Sequence, residues 1–424
     1  MKFPGLAGWL DYLERLHPKT IELGLARVAE VRQRLQLHPD FPVITVGGTN
    51  GKGSTCAMLE IMLACAGYRV GCYTSPHLLR YNERVRIART EAGDDELVAA
   101  FERVEAARGD ISLTYFEFGT IAAMQMFVDA RIDVAVLEVG LGGRLDVVNV
   151  FDADCAIVTS VALDHMDYLG DTREQIGFEK AGIFRAGRPA ICADTDPPRS
   201  LLDHAQTIGA DLQCLGRDFG YVTESNVQWR YWGRHGQGGA LPWPALRGAY
   251  QLANASAAIA ALGELRARLP VDMGAVRRGL VEVRLQGRFQ VLPGRPAVVL
   301  DVAHNPHAAQ ALAQNLGGMG FYPDTHAVFA MLSDKDIGGV IRAVAPRIAR
   351  WWVADIPAPR GATAMRLRDE LLAAGVAADA IEICTDIADA YRRACHVAGE
   401  NDRIAAFGSF YTVAAVMQAR SAGT

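Results

Sequence analysis

The chain has 424 residues, half of them apolar and 21% charged, with a net charge of −5. That length allows about two or three domains, the composition is that of a globular protein with a full core, and the acidic balance leaves no basic footprint for nucleic acid. No apolar run reaches the roughly 18 residues that cross a bilayer, and acidic residues stand where an export signal would be apolar, so the expectation is a cytoplasmic protein.

In chain order, short runs rich in Val and Ile alternate with segments of helical period. Strands are expected at Pro42–Val46, Arg69–Tyr73, Asp133–Glu138, Cys155–Ser160 and Pro189–Ala193. Each is nearly continuous in apolar residues, as strands buried on both faces must be. Helices are expected between them at Ser54–Ala66, Asp95–Arg108, Phe116–Ala130 and Thr172–Gly182. This alternation predicts an α/β fold with a mainly parallel sheet. From Asp211 to Trp243 the texture turns aromatic and Gly-rich with a period of two, which predicts a small antiparallel extension. Helices at Tyr250–Arg268 and Asp272–Val283 follow. Gln286–Pro296, with two Gly and two Pro, reads as a linker. Alternation then resumes from strand Ala297–Val302 to strand Arg403–Phe407, giving a second α/β domain. The expected division is 1–285, a linker at 286–296, and 297–424, with a cleft between the domains as the default site. Eight scattered cysteines without a CxxC pair read as reduced thiols, neither a disulfide frame nor a zinc site.

The strongest local signal is Val43-Ile44-Thr45-Val46-Gly47-Gly48-Thr49-Asn50-Gly51-Lys52-Gly53-Ser54-Thr55. A buried strand enters a Gly-rich loop and then an amphipathic helix. Glycines let backbone N–H groups turn toward phosphate oxygens, and the helix N-terminus adds positive potential. Lys52 would reach the terminal phosphates of a nucleotide, and Ser54 or Thr55 would hold Mg2+. The loop is one residue shorter than the common phosphate-loop pattern, and Gly53 separates the lysine from the hydroxyl. Glu138 ends an apolar strand, where ligands of open α/β sheets bind, and a buried carboxylate there needs a cation. That cation is a metal ion or an arginine such as Arg144. His165 follows the next strand between Asp164 and Asp167, as a metal ligand or a structural imidazole. Lys180, beside Glu179 on a predicted helix, reads by itself as a solvated or salt-bridged lysine.

Twelve stretches, in order along nearly the whole chain, together resemble the Mur ligase superfamily, and within it the bacterial ligases that add glutamate to folates. They are LDYLERLHPKTIELGL, GTNGKGST, TSPHLLRYNERVRI, SLTYFEFGT, LEVGLGGRLDVVN, SVALDHMDYLG, EKAGIF, GRFQV, DVAHNPHAAQAL, MLSDKD, PRGATA and GSFYTVA. The Gly53 insertion is itself the form of the loop in that family. The resemblance implies a first domain like the Mur ligase central domain, a phosphate-loop parallel-sheet ATPase, and a smaller Rossmann-like C-terminal domain.

Its activity would be ATP-dependent ligation of L-glutamate to 7,8-dihydropteroate and to tetrahydrofolate through an acyl phosphate, by a monomer that binds neither nucleic acid nor membrane. Thr49, Asn50, Gly51, Lys52, Gly53 and Ser54 would bind ATP with Asn254, Arg288 and Asp301. Ser75, Glu138 and His165 would serve a pair of Mg2+ ions, with Lys180 carbamylated beside them. The pterin acid would lie against Thr114, Tyr115, Phe116 and Glu117 and against Leu145, Asp146 and Val147, with Thr20–Gly24 as a further contributor. His304 and Ser409 would serve the glutamate and acyl-phosphate side, with Lys52, Lys180 and His304 as the catalytic set.

Each of these has a plainer alternative: Asp301 and His304 as caps of the helix at Pro306, Arg288 as a linker ion pair, Phe116 as core, Ser75 as a turn residue. Two rival functions remain in view. A peptidoglycan-precursor ligase shares the loop, but only about 40 residues precede Pro42, where a nucleotide-sugar domain would stand. An ATP-driven switch protein would turn over ATP without either acid.

Overall fold

The computed structural model describes residues 3–225, 227–248 and 250–422. It divides into two compact units, Met1–Ala245 with Gln251–Val283, and Leu246–Tyr250 with Arg284–Thr424.

The first unit begins with helices α1 (Gly5–Leu16) and α2 (Ala26–Arg34). Leu6, Trp9 and Leu13, one helical face of α1, are buried. Then come β1 (Val43–Gly47), α3 (Lys52–Cys65), β2 (Val70–Tyr73), β3 (Val85–Ile87), β4 (Thr90–Glu91), α4 (Asp94–Arg108), α5 (Tyr115–Asp129) and β5 (Val134–Glu138). They are followed by β6 (Cys155–Val158), α6 (Met166–Leu169), α7 (Arg173–Ala181), β7 (Pro189–Cys192), α8 (Arg199–Ile208) and β8 (Asp211–Cys214). The strands form one sheet in the order β4-β3-β2-β5-β1-β6-β7-β8, parallel except for the β3–β4 edge. All five residues of β1 and of β5 are buried, because helices cover both faces of a central parallel strand. One core gathers Trp9, Tyr73, Phe101, Phe118, Phe127 and Phe151; another gathers Val158, Ile176, Ile183 and Leu201.

A separate antiparallel sheet of β9 (Phe219–Thr223), β10 (Gln228–Gly233) and β11 (Gly236–Pro242) follows. The expected antiparallel extension is therefore present over Phe219–Pro242. Asp211–Cys214, however, joins the parallel sheet beside Pro189–Cys192. The crossover helix α8 that makes this parallel pairing possible lay in a polar stretch with little apolar run to announce it. Helices α9 (Tyr250–Glu264) and α10 (Met273–Glu282) complete the unit. Gly279 lets α10 approach α3 closely, since a Cβ there would lie 2.7 Å from the Met62 side chain.

The second unit carries β12 (Gln290–Leu292), β13 (Ala297–Leu300), α11 (Pro306–Gly317), β14 (Thr325–Phe329), α12 (Ile337–Val344) and β15 (Arg350–Val353). It ends with α13 (Ala364–Ala373), β16 (Ile381–Ile383), α14 (Ile387–Val397), β17 (Arg403–Phe407) and α15 (Phe410–Ala422). Its sheet order is β12-β13-β17-β14-β15-β16, with only β12 antiparallel. Gln286–Pro296 is thus not a bare linker. Gln290–Leu292 pairs with Val298–Leu300, and three of the residues that suggested a linker, Pro293, Gly294 and Pro296, form the turn of that hairpin.

Candidate active site

In the first sheet the connection from β1 leads through α3 to β2 on one side, while β6 lies on the other. Loops diverging at such a point leave a crevice at the carboxyl ends of the strands. The Gly-rich loop fills that place. Gly48 (φ +139°) and Gly51 (φ +89°) adopt backbone conformations that favour glycine. Loop and β6 are pinned together: Thr49 N–H donates to Ser160 O at 2.7 Å, Asn50 N–H to Ser160 Oγ at 3.0 Å, and Thr159 Oγ1 to Asn50 O at 2.7 Å. The Lys52 ammonium lies across the loop, donating to the carbonyls of Gly48 and Thr49 at 3.0 and 3.2 Å. From α9, Gln251 donates to Ser54 Oγ at 3.3 Å and accepts from Asn254 at 3.0 Å. Asn254 rests against Gly51, where a Cβ would fall 2.5 Å from its Oδ1. The structure thus brings Asn254 to the loop, some two hundred residues away in sequence.

Glu138 ends β5 beside Val46 of β1 and is 4% exposed. It accepts from the Ser75 N–H at 3.1 Å. Arg144, the alternative cation for Glu138, is engaged by Glu179 at 2.7 Å instead. His165 starts α6 in the left-handed region, φ +52°, with Nε2 4.0 Å from Asp164 Oδ1. Among the described residues no group of three or more His, Cys, Asp or Glu could hold a metal ion. The Glu138 carboxylate and a neighbouring serine hydroxyl nevertheless fit a hard divalent cation, which takes one or two protein carboxylates and fills its shell with water and phosphate oxygens.

Lys180 corrects the reading of a solvated or salt-bridged lysine. It is buried, 4% exposed, and its amine has no hydrogen-bond or ion-pair partner among the described residues. Adjacent positions on α7 point about 100° apart, so Glu179 meets Arg144 while Lys180 faces inward. Burial, and then the Lys52 ammonium, push its pKa down to about 7, with Asp164 and Asp146 pulling the other way. Asp146 is itself buried and raised to about 6 by that burial. It accepts from the N–H groups of Leu141 at 2.7 Å and Val148 at 3.0 Å, and so shapes the 140–148 loop.

Thr114 and Glu117 form a reciprocal cap on α5, and Glu117 also accepts from Arg27 at 2.8 Å. Phe116 stacks on Tyr73 with ring centroids 5.9 Å apart and packs on Gly140, where a Cβ would come within 2.5 Å of its ring. The loop segment Leu145–Val147 is tied to the N-terminal stretch, Gly24 N–H donating to Leu145 O at 3.3 Å. Residue-by-residue reading missed an aromatic group beside it. The Arg84 guanidinium lies 5.5 Å from the Tyr81 and Tyr115 rings and donates to His77 Nδ1 at 2.9 Å. Burial and Arg84 hold that imidazole down at about 4, so it is neutral. The TSPHLLRYNERVRI stretch carries His77, Tyr81 and Arg84, but nothing in their spacing separates them from an ordinary surface loop.

In the second unit, Asp301 follows β13 and accepts from Phe289 N–H at 2.9 Å and Ala303 N–H at 2.8 Å. Burial raises it to about 6, opposed first by Arg288. The cap of α11 is Asn305, not Asp301 or His304. His304 Nδ1 lies 2.8 Å from Val302 O. Ser409, after the adjacent strand β17, accepts from Thr412 N–H at 3.2 Å at the start of α15. Arg288 lies 5.1 Å from the Phe410 ring centroid, so the ends of β13 and β17 gather Arg288, Asp301, His304 and Ser409.

Residues 46–262 match the Mur ligase middle domain, and residues 287–410 match the Mur ligase glutamate ligase domain. Fold and phosphate loop therefore define a Mur-type ATP-dependent ligase. Dihydrofolate synthase/folylpolyglutamate synthase of Escherichia coli K12 is 46% identical over 97% of this chain and 95% of that protein. Its counterpart in Haemophilus influenzae is 40% identical over 96% of both. E. coli FolC solved in complex with DHPP and ADP superposes with a TM-score of 0.93 at 45% identity, covering 99% of this chain and 98% of that one. A bifunctional folylpolyglutamate synthase/dihydrofolate synthase with Mn, AMPPNP and L-glutamate bound gives 0.91 at 46%, covering 99% and 98%. The chain belongs to the dihydrofolate synthase/folylpolyglutamate synthase family of Mur ligases.

Proposed function

We propose that this ligase joins L-glutamate to 7,8-dihydropteroate, giving dihydrofolate, and also to tetrahydrofolate, with ATP converted to ADP and phosphate. ATP-dependent glutamate ligation to folates, with a divalent metal, is the activity of the family at this level of identity. Mg2+ as the metal, a pair of ions, tetrahydrofolate as second acceptor and a monomeric enzyme are our finer reading. The observation that carries it is the meeting of the phosphate loop, the Ser75–Glu138 pair and the Phe116–Tyr73 stack along one edge of the first sheet.

A carboxylate is a poor electrophile. Transfer of the γ-phosphoryl of ATP to the pterin acid makes a mixed anhydride, which the glutamate amine attacks with loss of phosphate. Phosphoryl transfer chiefly demands positioning and neutralisation of charge. Lys52, released from its loop carbonyls, supplies a cation to the phosphates, and the loop N–H groups orient them. When bound, the metal neutralises phosphate charge, and Ser75, Glu138 and His165 are the residues we assign to it. Asn254, Arg288 and Asp301 complete our ATP set. Thr114–Glu117 and Leu145–Val147 frame the pterin acid, with Phe116 offering a ring face to a planar heterocycle. His304 and Ser409 are assigned to the glutamate side, so 1–285 would carry most of the ATP set and the pterin acid and 297–424 would carry glutamate ligation.

ADP release, measured with dihydropteroate and with tetrahydrofolate separately and with glutamate present or omitted, tests this. Turnover is expected only when a pterin acid and glutamate are both present. Equal ADP release without any pterin acid would overturn the folate assignment and favour an ATP-driven switch.

A further inference from the structure

Arg86, on β3, is a largely buried cation whose donors reach into three segments of chain. Its Nε and Nη2 meet the Glu60 carboxylate at 2.8–3.1 Å. Nη1 donates to Thr74 Oγ1 at 3.3 Å and Glu83 O at 3.0 Å, and Nη2 to Cys72 Sγ at 3.3 Å. Glu60 is buried on α3, the helix whose first turn is the phosphate loop. Thr74 immediately precedes Ser75, whose N–H holds Glu138. The surrounding groups, Cys56 and Cys72, are thiols kept neutral by burial.

A buried ion pair is seldom the most stable filling for such a space, since well-packed apolar residues often do as well. What the guanidinium adds is fixed geometry, because its planar fork sets angle as well as distance. We propose that Arg86 is a positioning residue, tying α3 through Glu60 to Thr74 and so setting Ser75 and Glu138 at a fixed offset from the phosphate loop. This rests on the assignment of Ser75 and Glu138 to the metal. Groups that orient metal ligands change affinity by about 10- to 100-fold when removed.

Mn2+ binding to the full chain with ADP, followed by electron paramagnetic resonance, is the readout, with thermal unfolding alongside. Arg86→Met and the milder Thr74→Val should each weaken Mn2+ binding, by about tenfold or more for Arg86→Met. The double variant Glu60→Met/Arg86→Met should regain thermal stability while Mn2+ binding stays weak. Unchanged Mn2+ affinity in Arg86→Met and Thr74→Val, or recovery of affinity together with stability in the double variant, would show a purely structural pair and overturn the proposal. If Arg86→Met fails to fold, Thr74→Val and the double variant decide alone. Glu138→Gln separates the two ideas: loss of Mn2+ there with no effect at Arg86 refutes only the positioning role, whereas intact Mn2+ binding in Glu138→Gln refutes the metal assignment itself and the proposal with it.

Discussion

Lys180→Met tests the carbamylation that the family resemblance implies for Lys180. Carbon dioxide adds only to a neutral amine, and the product replaces a cation with an anion. At pH 7.5 an ordinary lysine is neutral in about one molecule per thousand. With the Lys180 pKa pushed down to about 7, roughly three quarters are neutral, a gain of several hundred-fold. The same burial is a stability statement. A fall from 10.5 to about 7 costs the folded chain on the order of 5 kcal/mol while the amine is protonated in both states. The unfolded chain binds more protons between pH 7 and about 10.5, so stability rises with pH across that window, and the penalty is complete below it. In CO2-free buffer, Lys180→Met should therefore be more stable than the native chain at pH 6, with the difference shrinking as pH rises and vanishing above about 10.5. Its ADP release should fall by about a hundredfold or more, as when a fixed charge is removed from a transferring group. Isotope-labelled bicarbonate followed by magnetic resonance should show a carbamate signal in the native chain and none in the variant. Native turnover in Lys180→Met, or the same carbamate signal in both, would refute the reasoning.

Gly48→Ala should abolish turnover while leaving the chain folded. The new Cβ would stand 1.9 Å from Thr159 Oγ1 and 3.0 Å from Thr159 N at φ +139°, and strain of about 1–3 kcal/mol would displace the loop; native ADP release would count against it. Arg288→Gln should raise the Asp301 pKa above about 6, because Arg288 is the principal group opposing the effect of burial there. The acid limb of the kcat/KM profile should move to higher pH, and an unmoved limb would mean that Asp301 ionisation does not limit the reaction.

The core strands were legible in the sequence because a parallel strand covered on both faces must be apolar throughout, as Val43–Gly47 and Val134–Glu138 are. So was the phosphate loop, whose glycines and lysine are adjacent in sequence and chemically specific. The chain order of elements did not reveal that β5 lies between β1 and β2, or β17 between β13 and β14. Such insertions are long-range pairings that leave no local pattern. Edge features were equally silent: Gln290–Leu292 looked like a linker because a short edge strand needs few apolar residues and its turn needs Gly and Pro. At the site, sequence named Glu138 and offered it two cations. Only the fold showed Arg144 committed to Glu179 and Ser75 turned onto Glu138. Lys180 marks the division most clearly. Its neighbours in the chain are those of a surface helix, and burial, the chief cause of its lowered pKa, is a property of what packs around α7.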